Sequence, residues 1–462
     1  MTSDSLPASL FRTTGRMARG VLAGVLLLSF ALPGISRGAA SLPEAKRIVF
    51  LGDSITYSGE YIDYLDACLR TRFPEREFEL LDLGLPSETV SGLSEPGHAG
   101  GAFPRPDLHE RLDRVLVKTK PDLIIACYGM NDGIYFPFSD ERFAKYQDGV
   151  QRLVQRAAKD RIPIILLTPP TFDPIPLKEH TLPAGRTAYP MPYHDYNQVL
   201  DRYADWLLAQ RSQGWTIIDI HGPMNHHLAA RRRQTPDYLL AGDGVHANAF
   251  GHWLFTQQIL VAWNVPAEVD TLDLDARIMK VRQGQISELT IGSQGIQFSW
   301  RTRLPMPFDP QWDPQSVALE RIADRFNRHR LIVRGAPALK YNVFESDRLL
   351  GTFSHDQLAQ GIDLLQFPSL LTNERGAKLL KLIHQRQRLL TDAWLTDTGH
   401  RRPGMNKGLP LATAQEQAAA LNSDIRELSA PIRLRWRLTP VDATHAPAAG
   451  AVPSVTAPPQ RP

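Results

Sequence analysis

RIVFLGDSITYSGEYIDYLDACLRTRFPEREFELLDLG, residues 47–84, reads as strand, helix, strand, and the alternation it starts continues for almost two hundred residues. RIVFLGD (47–53) and FELLDLG (78–84) are short, nearly unbroken apolar runs that end in Gly or Asp, while residues 59–72 between them carry helical spacing. An unbroken apolar run of this length is the mark of a strand buried on both faces, which occurs in parallel sheets. Outward from it follow a helix near 107–119, DLIIACYG (122–129), a helix over 143–160, IPIILLTPP (162–170), a helix over 195–213 and WTIIDIHG (215–222). Strands separated by helices predict an α/β fold, a doubly wound parallel sheet covered on both faces. Ligands of such sheets bind beyond the carboxyl ends of the strands, so the residues just after each apolar run are the candidates for chemistry.

After Pro266 the texture changes to alternation, as in ELTIGSQGIQFSWRT (288–302), HRLIVRG (329–335), LKYNVFESDRLLGTFS (339–354) and PIRLRWRLTP (431–440). Gly292–Gly295 and Ser346–Arg348 read as hairpin turns, and a helical block over 373–395 interrupts the strands. The expected layout is an export signal at 1–40, the α/β domain at 41–266, a smaller β-rich domain with a helical insertion at 267–440, and an Ala/Pro/Val-rich disordered tail at 441–462. No period suggests a repeat architecture.

Composition narrows the function classes. With 462 residues, 43% hydrophobic and 22% charged, the chain can bury two substantial cores. A net charge of only +3, with no basic run interleaved with aromatics, argues against a nucleic-acid partner. Arg231–Arg233 and Arg401–Arg402 read as solvated surface. At the N-terminus, Arg12, Arg16 and Arg19 precede VLAGVLLLSFALPG (21–34) and the small residues Gly38-Ala39-Ala40, the form of a secretory signal cleaved near Ala40. That run is too short for a comfortable span, and no later segment reaches the roughly 18 apolar residues one needs. The expectation is a secreted or periplasmic protein with no membrane span in the mature chain. Cys68 and Cys127 fall in a helix and a buried strand and are expected as two buried thiols.

Four segments fall at the ends of predicted strands in the first domain: Gly52-Asp53-Ser54-Ile55, Asp82-Leu83-Gly84, Gly129-Met130-Asn131-Asp132 and Asp243-Gly244-Val245-His246. Together, and in this order, they resemble the four sequence blocks of the GDSL/SGNH hydrolases. The resemblance implies a flavodoxin-like SGNH fold and a serine esterase in which Ser54 is the nucleophile, His246 the base and Asp243 the acid that orients it. It further implies that the backbone N–H groups of Ser54 and Gly84 and the side-chain amide of Asn131 form the oxyanion hole. No cofactor and no metal are implied.

The chemistry fits those residue types. A serine hydroxyl is a weak nucleophile at its own pKa and needs a base in reach, itself held in one tautomer by a third group. Glycine lets backbone approach a ligand closely, and an asparagine amide donates without adding charge. Asp53 reads as structural, bonding backbone near the nucleophile turn, and Asn131-Asp132 alone would also suit a turn or helix cap. His221, His226, His227 and His252 lack metal-ligand spacing and read as packing or surface groups.

The segment Leu85–Pro106 (LPSETVSGLSEPGHAGGAFPRP) is long enough to form a wall or lid beside Gly84, and Tyr135, Phe136 and Phe138 are candidate wall residues. The favoured substrate is a small-molecule or glycan ester with a short acyl group, such as O-acetyl on carbohydrate. Two other readings stand beside it. Asp53, Asn131, Asp132 and His246 are ligand types of a metal-dependent phosphoesterase, and the β-rich half, with Phe298, Trp300 and Trp312 as stacking residues, suits a glycan- or partner-binding protein.

Overall fold

The computed structural model describes residues 42–178, 191–399 and 408–441. The export signal expected at 1–40, Arg401 and Arg402, and the tail from 442 onward lie outside them. Strands β1 (Arg47–Gly52), β2 (Glu79–Asp82), β3 (Leu123–Cys127), β4 (Ile164–Leu167) and β5 (Thr216–Ile218) form one sheet in the order β2-β1-β3-β4-β5, every pair parallel. Helices α1 (Ser54–Ser58), α2 (Glu60–Arg72), α3 (Leu108–Thr119), α4 (Asp140–Lys159), α5 (Tyr196–Ala209), α6 (His221–Arg232) and α7 (Ala249–Ala262) supply the crossovers and the covering layers. This is the doubly wound α/β sheet that the sequence predicts. Its strand order reverses beside β1, which is where such sheets open a crevice.

Strand β1 is buried because both faces of the sheet are covered: Ile48, Val49, Phe50 and Leu51 are each 0% exposed. Short polar caps start the helices. Asp53 accepts from the Ile55 amide at α1, Asp107 from His109 at α3, and Ser139 from Arg142 at α4. Helix α1 ends on Gly59, whose φ of 76° lets the chain turn directly into α2.

Beyond α7 come β6 (Glu268–Asp275), β7 (Lys280–Gln283), β8 (Gln285–Gly292), β9 (Gly295–Thr302), the short helices α8 (Pro314–Leu319) and α9 (Ile322–Phe326), β10 (Arg328–Arg334), β11 (Lys340–Glu345), β12 (Arg348–Ser354), α10 (His355–Gln360) and β13 (Ile362–Asp363). Two long helices, α11 (Leu371–Thr398) and α12 (Leu411–Ser429), precede the last strand, β14 (Ile432–Pro440). The strands form two sheets, β13-β10-β6-β7 and β12-β11-β14-β9-β8. Both expected hairpins are present, closed by the pairs Gly292–Gly295 and Glu345–Arg348. Leu272, Leu331 and Val333 of one sheet share a core with Trp300, Tyr341, Val343 and Trp436 of the other.

Apart from α10, whose Leu358 lies in this core, the helices of this half belong elsewhere. Met306, Trp312, Leu379, Leu380, Ile383, Trp394 and Ile425 are part of the core of the parallel sheet, and α11 packs on α2 and β2. Two sequence expectations change. Phe298, Trp300 and Trp312 are buried at 3%, 0% and 4% exposure, so none offers a face to a glycan. Arg231 is buried between Asp313 and the Tyr238 ring and Arg232 pairs with Asp173, so only Arg233 of that run is solvated surface. Cys68 and Cys127 are buried free thiols, as expected. Among the described residues no helix is long and apolar enough to cross a membrane.

Candidate active site

Strand β1 delivers Gly52 and Asp53 to the open end of the sheet, and Ser54 is the first residue of α1. The Ser54 amide therefore has no intrahelical acceptor ahead of it. Asp53 Oδ1 accepts from the Ile55 N–H at 2.9 Å, which fixes the turn, so this carboxylate is structural as the sequence suggests. Burial pushes its pKa up to about 7 against the opposing pull of the Ile55 amide and of His246.

Asp243 and His246 arrive on the loop before α7. Asp243 Oδ1 accepts from the amides of Val245 and His246 at 3.0 and 2.8 Å, and Oδ2 accepts from His246 Nδ1 at 2.6 Å. His246 Nε2 lies 2.8 Å from Ser54 Oγ. A carboxylate cannot donate, so Nδ1 carries the proton and Nε2 presents its lone pair to the serine hydroxyl. The hydrogen bond that His246 donates to Asp243 raises the histidine pKa, while its partial burial works against that rise. The loop needs Gly244: its φ is 79°, and an added Cβ would sit 2.4 Å from the Asp173 carbonyl oxygen. His246 and Asp243 side chains are each 39% exposed, so the relay opens to solvent.

Asn131 follows β3 and is 4% exposed. Its Oδ1 accepts from Arg105 Nη1 at 2.9 Å and from the Tyr135 hydroxyl at 3.0 Å, and its Nδ2 donates to the Glu88 carbonyl at 3.2 Å. Two donors on one end of the amide fix which end is nitrogen, leaving the second N–H of Nδ2 as the group on offer. Ile134 and Tyr135 both adopt positive φ, 57° and 56°, a costly conformation for such side chains that returns the Tyr135 hydroxyl to Asn131. Gly84 follows β2, and its N–H donates to Asp82 Oδ1 at 2.8 Å. Its glycine identity has a steric cause, since an added Cβ would lie 2.2 Å from the Tyr57 backbone nitrogen of α1.

The structure thus places Ser54, His246 and Asp243 in one hydrogen-bonded chain and sets Gly84 against α1. Asn131 is oriented by residues that sequence reasoning missed. Arg105 is a central one: its Nε and Nη2 pair with Glu95 at 2.6 and 3.0 Å while Nη1 holds Asn131, and its guanidinium lies over the Tyr135 ring. Glu88, bound by Arg111 and the Tyr128 hydroxyl, anchors the same wall. All three charged residues, Glu88, Glu95 and Arg105, stand in the Gly/Pro/Ser-rich segment 85–106, and charge in such a segment was the available signal. Asp132 turns inward to the Ser91 amide and is held by burial at a pKa of about 6. Tyr135 is buried, leaving Phe136 and Phe138 on the more exposed side. His221, His227 and His252 are buried packing groups bound to Asp201, Glu320 and Glu60. Among the described residues no group of three or more His, Cys, Asp and Glu side chains is arranged to hold a metal ion.

Residues 50–254 match the model of the GDSL-like lipase/acylhydrolase family. In structure the chain is similar to a gut microbial diltiazem-metabolizing enzyme, at 19% identity and a TM-score of 0.69, over 87% of this chain and all 100% of that one. It is also similar to an acetylxylan esterase from Geobacillus stearothermophilus (20% identity, TM-score 0.35, 49% of this chain and 97% of that one). No curated protein sequence matches the chain.

Proposed function

We propose that this chain, which through residues 50–254 belongs to the GDSL-like lipase/acylhydrolase family and is a serine ester hydrolase, works after export and removes short acyl groups, foremost O-acetyl on carbohydrate. The observation that carries the catalytic assignment is the continuous relay Ser54 Oγ, His246 Nε2, His246 Nδ1, Asp243 Oδ2, with links of 2.8 and 2.6 Å. Ser54 Oγ attacks the ester carbonyl as its proton passes to His246 Nε2, and the imidazolium so formed is stabilised by Asp243. The proton then goes to the departing alcohol. Water repeats the sequence to free the acid and restore the serine.

The tetrahedral oxyanion is met by the Ser54 amide and by the N–H that Asn131 has left to give, each such donor typically being worth about a hundredfold to a thousandfold in rate. Gly84 contributes its N–H while sharing it with Asp82. The solvent-open relay suits an ester carried on a bulky, hydrated substrate better than a long acyl chain that needs an enclosed tunnel. The leader-like sequence before residue 41 supports export, where such polymers are met.

The test is hydrolysis of p-nitrophenyl esters of increasing acyl length, and release of acetate from acetylated oligosaccharide. The expected result is acetate far ahead of octanoate, with Ser54→Ala and His246→Ala each losing more than about a thousandfold in kcat. Full activity in either variant removes the relay, and a preference for octanoate removes the substrate class.

A further inference from the structure

A cavity of about 390 Å³ lies where α11 crosses the start of α2 and the end of β2. Five carboxylates line it, Glu60, Asp63, Asp82, Asp309 and Asp392, against His384 and Arg388, together with Tyr57, Gln387 and Thr391. Some of these groups are spoken for. Asp309 Oδ2 accepts from the Tyr64 hydroxyl, Asp392 Oδ1 from the Tyr57 hydroxyl and Asp63 Oδ2 from His384 Nδ1, while Glu60 faces His252.

Others are not. Asp63 Oδ1 and Gln387 Nε2 are buried with no hydrogen-bond partner, on residues only 5% and 3% exposed. Asp82 Oδ2 is likewise buried without a well-formed hydrogen bond, although the Gly84 amide, the Thr391 hydroxyl and Arg111 all favour the charged form of this carboxyl. This oxygen borders the cavity wall at Gly59, where an added Cβ would come within 2.8 Å of it. A buried polar atom without a partner destabilises a fold, which normally removes that cost unless a ligand supplies the partner.

We propose that this cavity is a second binding site, distinct from the Ser54 relay, for a small organic cation: an amine-bearing ligand no larger than one sugar ring. The unpartnered atoms are mainly carboxylate oxygens, which call for N–H donors. The surplus of acid over base in the wall calls for positive charge. A volume within the range of small-molecule pockets calls for an organic group rather than a bare ion. Burial raises the pKa values of Asp63 and Asp82, and an ammonium group beside them would offset that effect. Tyr57 supplies an aromatic edge for the ligand's carbon skeleton.

The site also touches the chemistry. Asp82 holds the Gly84 amide with Oδ1 and borders the cavity with Oδ2, so a cation there sits one carboxylate away from an oxyanion donor.

Calorimetric titration of the full chain with glucosamine, ethanolamine and glucose tests this directly. The two amines are expected to bind and glucose is not. Binding should survive Ser54→Ala, fall more than about tenfold in Asp63→Asn, and be lost in Gln311→Trp, which fills the cavity from an exposed position. Retained hydrolysis of p-nitrophenyl acetate shows that the last two variants are folded. Equal binding of glucose, loss of amine binding in Ser54→Ala, undiminished binding in both cavity variants, or no amine binding to the unaltered chain would overturn the proposal.

Discussion

Asp53 sits beside the nucleophile as a buried acid whose pKa is raised to about 7 by desolvation, and that single number has two consequences. The folded state holds this proton more tightly than the unfolded chain, whose carboxyl titrates near 3.8. The stabilising contribution is therefore complete below about pH 4 and is lost as pH rises toward 7, a difference on the order of 4 kcal/mol if the whole gap is expressed. Asp53→Asn keeps the capping oxygen and removes the charge, so its Tm should exceed that of the parent at pH 8.5 and match it near pH 4.5. A variant less stable at both pH values would contradict this. The ionised Asp53 also favours protonation of His246, so the acid limb of kcat against pH, set above 6.5 by the Asp243 hydrogen bond, should move to lower pH in Asp53→Asn. Arg105 acts at one remove, by holding Asn131 Oδ1. In Arg105→Met the amide keeps only the Tyr135 hydroxyl and the Glu88 carbonyl and is held less firmly, and kcat for p-nitrophenyl acetate should fall about ten- to a hundredfold with KM little changed. A rise in KM alongside the fall in kcat would instead place Arg105 in substrate contact.

At the scale of elements, the geometry of the site is a matter of how closely α1 approaches the end of β2. Gly84→Ala puts a methyl group 2.2 Å from the Tyr57 nitrogen, so α1 must move, and with it Ser54 at its first position. Overpacking of this kind costs roughly 1–3 kcal/mol, which thermal melts would show as a lowered but cooperative transition. The activity should fall at least about a hundredfold, more than the stability loss explains. Sequence reasoning located β1 to β5 because strands buried on both faces are apolar throughout, and it located Ser54, Gly84 and Asn131 because chemistry collects where such runs end; Asp243 and His246, expected at a strand end, lie instead on the loop between α6 and α7 and were legible only through the resemblance of their four-residue block. It passed over α1, α6 and α7. Helix α1 is five residues long and leaves little period to read, and α7 is apolar almost all round, from Phe250 to Leu260, so it shows no amphipathic face. Arg105 and Glu95 escaped for a different reason: their pairing joins two points of an irregular loop to a residue on another strand's end, and no local pattern records it.

For the whole molecule, the two halves of the sequence do not correspond to two separate cores. Helix α11, from the second half, lays Leu379, Leu380, Ile383 and Trp394 into the core of the parallel sheet, and its polar groups are joined to α2 across that contact. Arg386 Nη2 reaches Asp66 Oδ2 at 2.7 Å with both side chains buried, and Arg72 of α2 donates to the carbonyls of Pro266, Glu268 and Phe326. A texture change at Pro266 marks where β-rich sequence begins, and it says nothing of where later helices return. The buried pair gives the sharpest test. Arg386→Met alone leaves Asp66 with only Arg70 beside it and should cost roughly 3–5 kcal/mol in urea unfolding, whereas the double variant Arg386→Met, Asp66→Leu removes both charges and should recover part of that loss. Because α11 and the parallel sheet share one core, unfolding of the full chain should lose the α/β and helical signals together, and a 42–265 fragment, stripped of α11, should be far less stable than the whole. A fragment as stable as the full chain, or a cost below about 1 kcal/mol for Arg386→Met, would make the second half an appendage to the hydrolase rather than part of its core.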